Sequence, residues 1–363
     1  MAEMRETASG GQALYIKDFP SSFRKLRTSE ATEAITPREN ILRLLRGETP
    51  VWMPCSLDIQ GVDPWCVPDN VARGLYASDH RLTDDEKGGK DMFGLTWDYI
   101  PAAMGSMVRQ GEELFDDANE WQEKLVFPEP ETWDWDGAAK MLLPYVDEER
   151  LHESTIFTGF FERLISFMGM ENALLAMVDE DQEDAIKALF SKLCDTYERI
   201  ILCLKRSFPI DMIQLHDDWG NQRAPFFRTG TMEEMVAPYI SRIAGFCHEN
   251  GLLFHLHSCG QNDPNVPMMI ACGVDYWSPQ VSQDEGKLVR SYGRELAIAT
   301  RIVVPEGSSA EEASRMAREL VADYAPLGKV FLFRNPMNLG QEAADRFYRE
   351  IHNLSKAFYS AAQ

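Results

Sequence analysis

The chain has 363 residues, 44% of them hydrophobic, and a formal net charge of −22. That length suits one large barrel domain or two small ones, and the apolar share is that of a globular protein with a real core. So acidic a balance argues against a nucleic-acid backbone as partner, which needs clustered Lys and Arg, and against a pocket for a substrate with many carboxylates. No apolar run is long enough to span a bilayer and no signal-peptide pattern opens the sequence, so a cytoplasmic protein is expected. The seven cysteines (55, 66, 194, 203, 247, 259, 272) are scattered and odd in number, which fits reduced thiols.

Residues 1–35 are polar and read as an arm. A single domain over 36–363 then starts at Thr36-Pro37-Arg38-Glu39, where Thr36 caps a helix, Pro37 suits its first position and Glu39 can complete a capping box. Ile41, Leu42, Leu44 and Leu45 supply its apolar face, Gly47 stops it, and 51–57 reads as a first strand. Residues 60–150 break the rhythm. They carry Trp65, Trp97, Trp121, Trp133 and Trp135 among many acids, and read as an aromatic-rich insertion folding over a barrel mouth; most of these rings are expected in the core.

From 154 the alternation of strand and helix resumes. Strands are expected at 154–160, 211–215, 252–256, 274–278, 296–300 and 329–333, with a long helix over 182–207 and a closing one over 341–360. Ser309-Ala310-Glu311-Glu312 is a capping box. Seven strands are placed and the eighth is not. The pattern favours an α/β fold of the (β/α)8 TIM-barrel kind, and no G-x-G-x-x-G follows a strand to suggest a dinucleotide fold.

Such barrels keep their chemistry at the carboxyl ends of the strands. Those ends would gather Glu162, His216, Asp217, Asp218, His257, Cys259, Gln280 and Arg301. His257 and Cys259, two apart in extended chain, point the same way and can converge on one ion; as isolated residues they can equally be a packed thiol and a satisfied imidazole. Asp217-Asp218 can be a cap, Arg301 a counter-charge, and Glu162-Arg163 an ordinary ion pair.

Thr36-Pro37-Arg38-Glu39-Asn40-Ile41, Phe161-Glu162-Arg163, Asp217-Asp218, His257-Ser258-Cys259-Gly260 and Gly273-Val274-Asp275 through Pro279-Gln280 occur in that order. Together they resemble the uroporphyrinogen decarboxylase superfamily in its corrinoid-dependent methyltransferase branch. Asp91 to Trp97 and Trp133-Asp134-Trp135 resemble members found with O-demethylase systems. The resemblance covers about 36–360 and implies a TIM barrel with zinc held by His257, Cys259 and a further cysteine near the carboxyl end. No cysteine follows Cys272, and the corresponding region reads Phe333-Arg334-Asn335-Pro336-Met337-Asn338. Glu162 is therefore the expected third ligand, with Cys55 the outside candidate. An oxygen donor would leave zinc more Lewis acidic than a thiolate-rich set.

The implied activity is transfer of a methyl group from a methylated small molecule, best an aryl methyl ether, to the Co(I) corrinoid of a partner protein. His216, Asp217 or Asp218 would orient substrate or deliver a proton, while Trp219, Gln280 and Arg301 would contact it. Methyl transfer from the corrinoid protein to a thiol or pterin is the alternative half-reaction. A decarboxylase is a poorer match, since residues 54–60 hold no arginine to receive carboxylates. A non-catalytic binding barrel is the alternative of another class, and a homo-oligomer is left open.

Overall fold

The computed structural model describes residues 35–69, 87–101, 105–280, 284–301, 305, 307–333 and 341–361. The arm expected over 1–35 falls outside them but for its last residue. Helix α1 (Pro37–Leu45) forms as its sequence dictates: the Thr36 hydroxyl accepts from the Glu39 N–H at 3.1 Å, and Gly47 leaves the helix at φ +81°. The strand expected over 51–57 does not form there. Cys55 makes an isolated bridge, residues 56–58 turn, and β1 is the short Ile59–Gly61.

After β1 come three short antiparallel strands, β2 (Gly88–Lys90), β3 (Thr96–Ile100) and β4 (Gly105–Val108), then α2 (Trp121–Lys124) and α3 (Trp135–Leu142). Trp97 and Trp135 are buried as expected, Trp121 and Trp133 pack partly buried against the core, and Trp65 is 44% exposed. This region leans on the barrel helices: Phe93 meets Phe167 edge-on at 4.9 Å, and Arg199 pairs with Glu129 and Glu131. The alternation then runs β5 (Leu151–Ile156), α4 (Phe160–Ala176), α5 (Glu183–Ser207), β6 (Met212–His216), α6 (Thr229–Met235), α7 (Ala237–Glu249), β7 (Leu253–Ser258), α8 (Val266–Ala271) and β8 (Tyr276–Pro279). It closes with α9 (Glu285–Tyr292), β9 (Ala297–Arg301), α10 (Ala310–Tyr324), β10 (Val330–Phe333) and α11 (Gln341–Ala361). The Ser309 capping box is present at the start of α10.

Seven strands lie parallel in the order β1-β5-β6-β7-β8-β9-β10. The Cys55–Leu332 bridge brings the two edges of this sheet together, with the Leu332 N–H reaching the Pro54 carbonyl at 3.3 Å. The fold is thus TIM-barrel-like, with seven strands rather than eight among the described residues. No helix among those residues is long and apolar enough to cross a membrane.

Two cores flank the sheet. One packs the helices against its outer face. The other lies at the amino-terminal end, where Leu151, Met212, Tyr276, Ala297 and Phe331, with Ile59 and Leu253 beside them, meet Ile41, Leu42, Leu44 and Leu45 of α1. Each such side chain contributes roughly 1.5–3 kcal/mol on full burial, so α1 is a substantial plug for that end. Arg38 ties it down through a forked pair to Asp211, at 2.5 to 3.0 Å, just before β6.

Candidate functional site

Inward-facing residues recur every second position along a strand, so the residues above the apolar floor are found by counting in twos. On β5 the floor residue Leu151 gives way to Glu153 and Thr155; on β6, Met212 gives way to Gln214 and His216. On β7, Leu253 is followed by His255 and His257, and on β8, Tyr276 by Ser278. The parallel register sets His216 beside His257, and His257 beside Ser278. The two imidazoles stack, with ring centres 4.6 Å apart. These positions are the carboxyl ends of the strands.

His257 and Cys259 converge as their spacing predicts, with Nε2 and Sγ 3.4 Å apart. The Cys259 N–H donates to Asp218 Oδ1 at 2.6 Å, and the Asn262 side chain donates to the Cys259 carbonyl at 2.6 Å. Gly260, at φ +95°, is required: a Cβ there would lie 2.3 Å from the Gly220 backbone. Among the described residues, one group brings donor atoms all within 4.8 Å of one another: His216, Asp218 and His257. It differs from the expected trio. His216 and Asp218 join His257, while Glu162 Oε2 sits 2.7 Å from His216 Nδ1 and orients that ring instead.

Glu162 owes its place to Asp217, whose carboxylate accepts from the N–H groups of Phe161 and Glu162 at 3.2 and 2.9 Å and caps α4 from a neighbouring strand. Gly159 permits that approach, since a Cβ there would stand 2.5 Å from Asp217 Cβ. Asp217 also accepts from Trp219 Nε1 at 2.8 Å, and Trp219 is completely buried. Both are expected from sequence to serve the substrate; in the structure Asp217 takes these three N–H donors and Trp219 is packed away from solvent. The Gln280 side-chain oxygen accepts from the Gly260 N–H at 2.9 Å and holds the loop. Arg301 ends β9 opposite Phe333, and its side chain lies outside the described residues. Cys55, the outside candidate, sits at the bridge between the sheet edges, with its N–H on Asp58.

The electrostatics follow from burial. Burial above all pushes the Glu162 carboxyl up to about 8, against the pull of His216. Burial opposes charge on His216, but Glu162, Asp218 and Asp217 outweigh it and raise that imidazole to about 10. Both shifts favour the protonated form, that of Glu162 through burial and that of His216 through the carboxylates around it. Burial, then the His216 charge, keep the His257 imidazole neutral, down to about 3. Burial lifts Asp217 to about 6 despite its three hydrogen bonds. The nearest arginine in sequence, Arg163, is fully buried and committed to Asp69 and Asp91 at 3.2 and 2.6 Å. The mouth is thus rich in carboxylate and imidazole and suited to a cation.

No family model and no curated protein matches the chain. Among solved structures, a methyltransferase from Methanosarcina mazei superposes with a TM-score of 0.55 at 12% identity, covering 88% of this chain and 99% of that one. The fold is shared. 3-Keto-D-glucoside 4-epimerase from E. coli reaches a TM-score of only 0.35 at 10% identity, covering 62% of this chain and 86% of that one. A D-psicose 3-epimerase reaches 0.33 at 12%, covering 68% and 86%.

Glu153, His255 and Ser278 join the polar layer without having been expected there. Their signal in the sequence is His255-Leu256-His257: two histidines on one face of a buried strand break an otherwise apolar alternation.

Proposed function

We propose that the chain is a metal-dependent methyltransferase that moves a methyl group from a methylated small molecule to the Co(I) corrinoid of a partner protein. An aryl methyl ether is the first choice of donor. The observation that carries this reading is the meeting of His216, Asp218 and His257 within 4.8 Å, with Cys259 Sγ beside His257, at the carboxyl ends of parallel strands. The methyltransferase-like fold and the ordered motifs of the resemblance support the reaction class.

These residues fit a divalent metal, zinc by preference. His216 has its Nδ1 on Glu162 and His257 has its Nδ1 on the Ser278 hydroxyl, at 3.1 Å, so each would offer Nε2, and a metal at His216 would displace the proton that the neighbouring carboxylates favour. Asp218 would add an oxygen and Cys259 a sulfur. Glu162, expected as a ligand, becomes the group that orients one. When bound, the metal would supply Lewis acidity at the leaving oxygen, and the partner's corrinoid the nucleophile. Asp217 and Trp219 hold the end of β6, and Gln280 and Gly260 hold the loop after β7, so the ligands need not be ordered by the substrate. The region between β1 and β5, which packs its aromatic rings against α4, would fold over this mouth and exclude water.

The test is metal analysis followed by an assay of the zinc-loaded chain with reduced corrinoid protein across methoxyarenes, quaternary amines and methanol. About one zinc per chain and turnover of a methoxyarene are expected. Methyl transfer from the corrinoid protein to a thiol with no demethylation would reverse the direction. Turnover without metal or corrinoid would favour a decarboxylase, and a chain that holds no metal would be a binding barrel.

A further inference from the structure

A hydrogen-bonded chain runs from the middle of the barrel to His257. Glu153 Oε2 lies 2.6 Å from His255 Nδ1, and His255 Nε2 lies 2.8 Å from Ser278 Oγ. Ser278 Oγ in turn lies 3.1 Å from His257 Nδ1. The four residues come from β5, β7 and β8, so that the Glu153–His255 contact reaches across β6, and His255 and Ser278 are buried. From the geometry we infer that Glu153, His255 and Ser278 are positioning residues that set which nitrogen of His257 carries the proton.

Counting donors along the chain fixes its direction. A carboxylate only accepts, so the His255 nitrogen facing Glu153 carries the hydrogen, and in the neutral ring the other nitrogen is then a bare acceptor. That acceptor takes the single Ser278 O–H. Its hydrogen spent, the Ser278 oxygen faces His257 as an acceptor and takes the proton of Nδ1. Nε2 of His257 is then a lone pair, directed at the side where Cys259 Sγ stands 3.4 Å away. Turned the other way, the same chain would put a hydrogen on Nε2 and leave nothing to bind a metal. His216 receives its instruction directly from Glu162; His257 receives it through two relays.

The geometry of the relay is independent of the proposed activity; only its consequence rests on His257 being a metal ligand. The experiment uses the full chain, metal-free, with isotope-labelled histidine, and reads the His257 tautomer by NMR before zinc is titrated. The parent should carry its proton on Nδ1. Ser278→Ala and Glu153→Gln should each yield a mixture of tautomers and weaken zinc binding by roughly 10- to 100-fold, the usual effect of losing a ligand's partner. Ser278→Thr, which keeps the hydroxyl, should restore both readings. A parent proton on Nε2, or an unchanged tautomer in both Ser278→Ala and Glu153→Gln, would overturn the inference. Should the tautomer shift as stated while even the parent takes no zinc, the relay stands and the metal reading falls.

Discussion

The two ends of one barrel interior differ in kind. At the amino-terminal end the inward residues are Leu151, Met212, Leu253, Tyr276, Ala297 and Phe331, closed from below by α1. Two positions along, four adjacent strands turn polar with Glu153, Gln214, His255 and Ser278, while β9 still offers Ala299. Stability is concentrated where the side chains are apolar but for the Tyr276 phenol, and chemistry where burial opposes charge on carboxylates and imidazoles. The floor gives the mouth a rigid base, and the mouth spends part of that stability on desolvated carboxylates.

The two ends can be damaged separately. His257→Ala should abolish metal binding and turnover at an unfolding free energy changed by about 1 kcal/mol. Phe331→Ala should do the opposite, costing about 3–5 kcal/mol through the cavity it leaves. Zinc stoichiometry of the folded fraction, set beside urea unfolding, reads both. Loss of metal in the floor variant, or collapse of the fold in the mouth variant, would mean the two ends are one unit.

A smaller effect is expected between them. Asp217 is the cap that joins the end of β6 to the start of α4, so Asp217→Ala leaves two backbone N–H groups and the Trp219 indole without their acceptor. A loss of about 2–3 kcal/mol follows from stranding buried donors. Activity should fall as well, because Glu162 follows the helix terminus and His216 follows Glu162. An unchanged turnover per folded molecule would show that Glu162 is held by something other than this cap.

Much of the floor is legible in the sequence because it obeys local rules. Thr36, Pro37 and Gly47 bracket α1 by capping and backbone chemistry, and apolar residues recur at helical spacing between them. The first strand lies elsewhere than expected because 51–57 is apolar enough for a strand yet is pinned by Asn40, whose side chain takes the Val51 N–H and gives to the Trp52 carbonyl. A contact made by a helix residue eleven positions earlier leaves no periodic trace. At the mouth, His257 and Cys259 are legible as neighbours on one extended segment. The grouping of His216 and Asp218 with His257 is not, because it depends on register between β6 and β7, which a single strand does not record. The burial of Asp217 and Trp219 is hidden for the same reason: nothing in their spacing tells that both turn inward.

Asp63 carries the contrast to its finest scale, since it borders the polar layer without belonging to the ligand group. Its Oδ1 accepts from the Thr155 N–H at 2.8 Å, yet burial lifts its carboxyl to about 7, with the charge of Glu153 adding to the shift. The unfolded chain releases that proton near the ordinary value of about 4, whereas the folded chain keeps it until about 7. Over that window the folded state binds more protons, so stability falls as pH rises. The contribution is fully present below about 4 and gone above about 7. Asp63 is only partly buried, and solvent screening reduces the whole effect to something on the order of 2 kcal/mol. Asp63→Asn, which cannot ionise, should flatten that part of the pH profile and be the more stable protein at about pH 8, with little difference at about pH 4. Urea unfolding of both proteins at the two pH values reads the difference directly. Parallel profiles would mean that Asp63 is ionised in the folded chain, and that the cost of desolvation is confined to the ligand group itself.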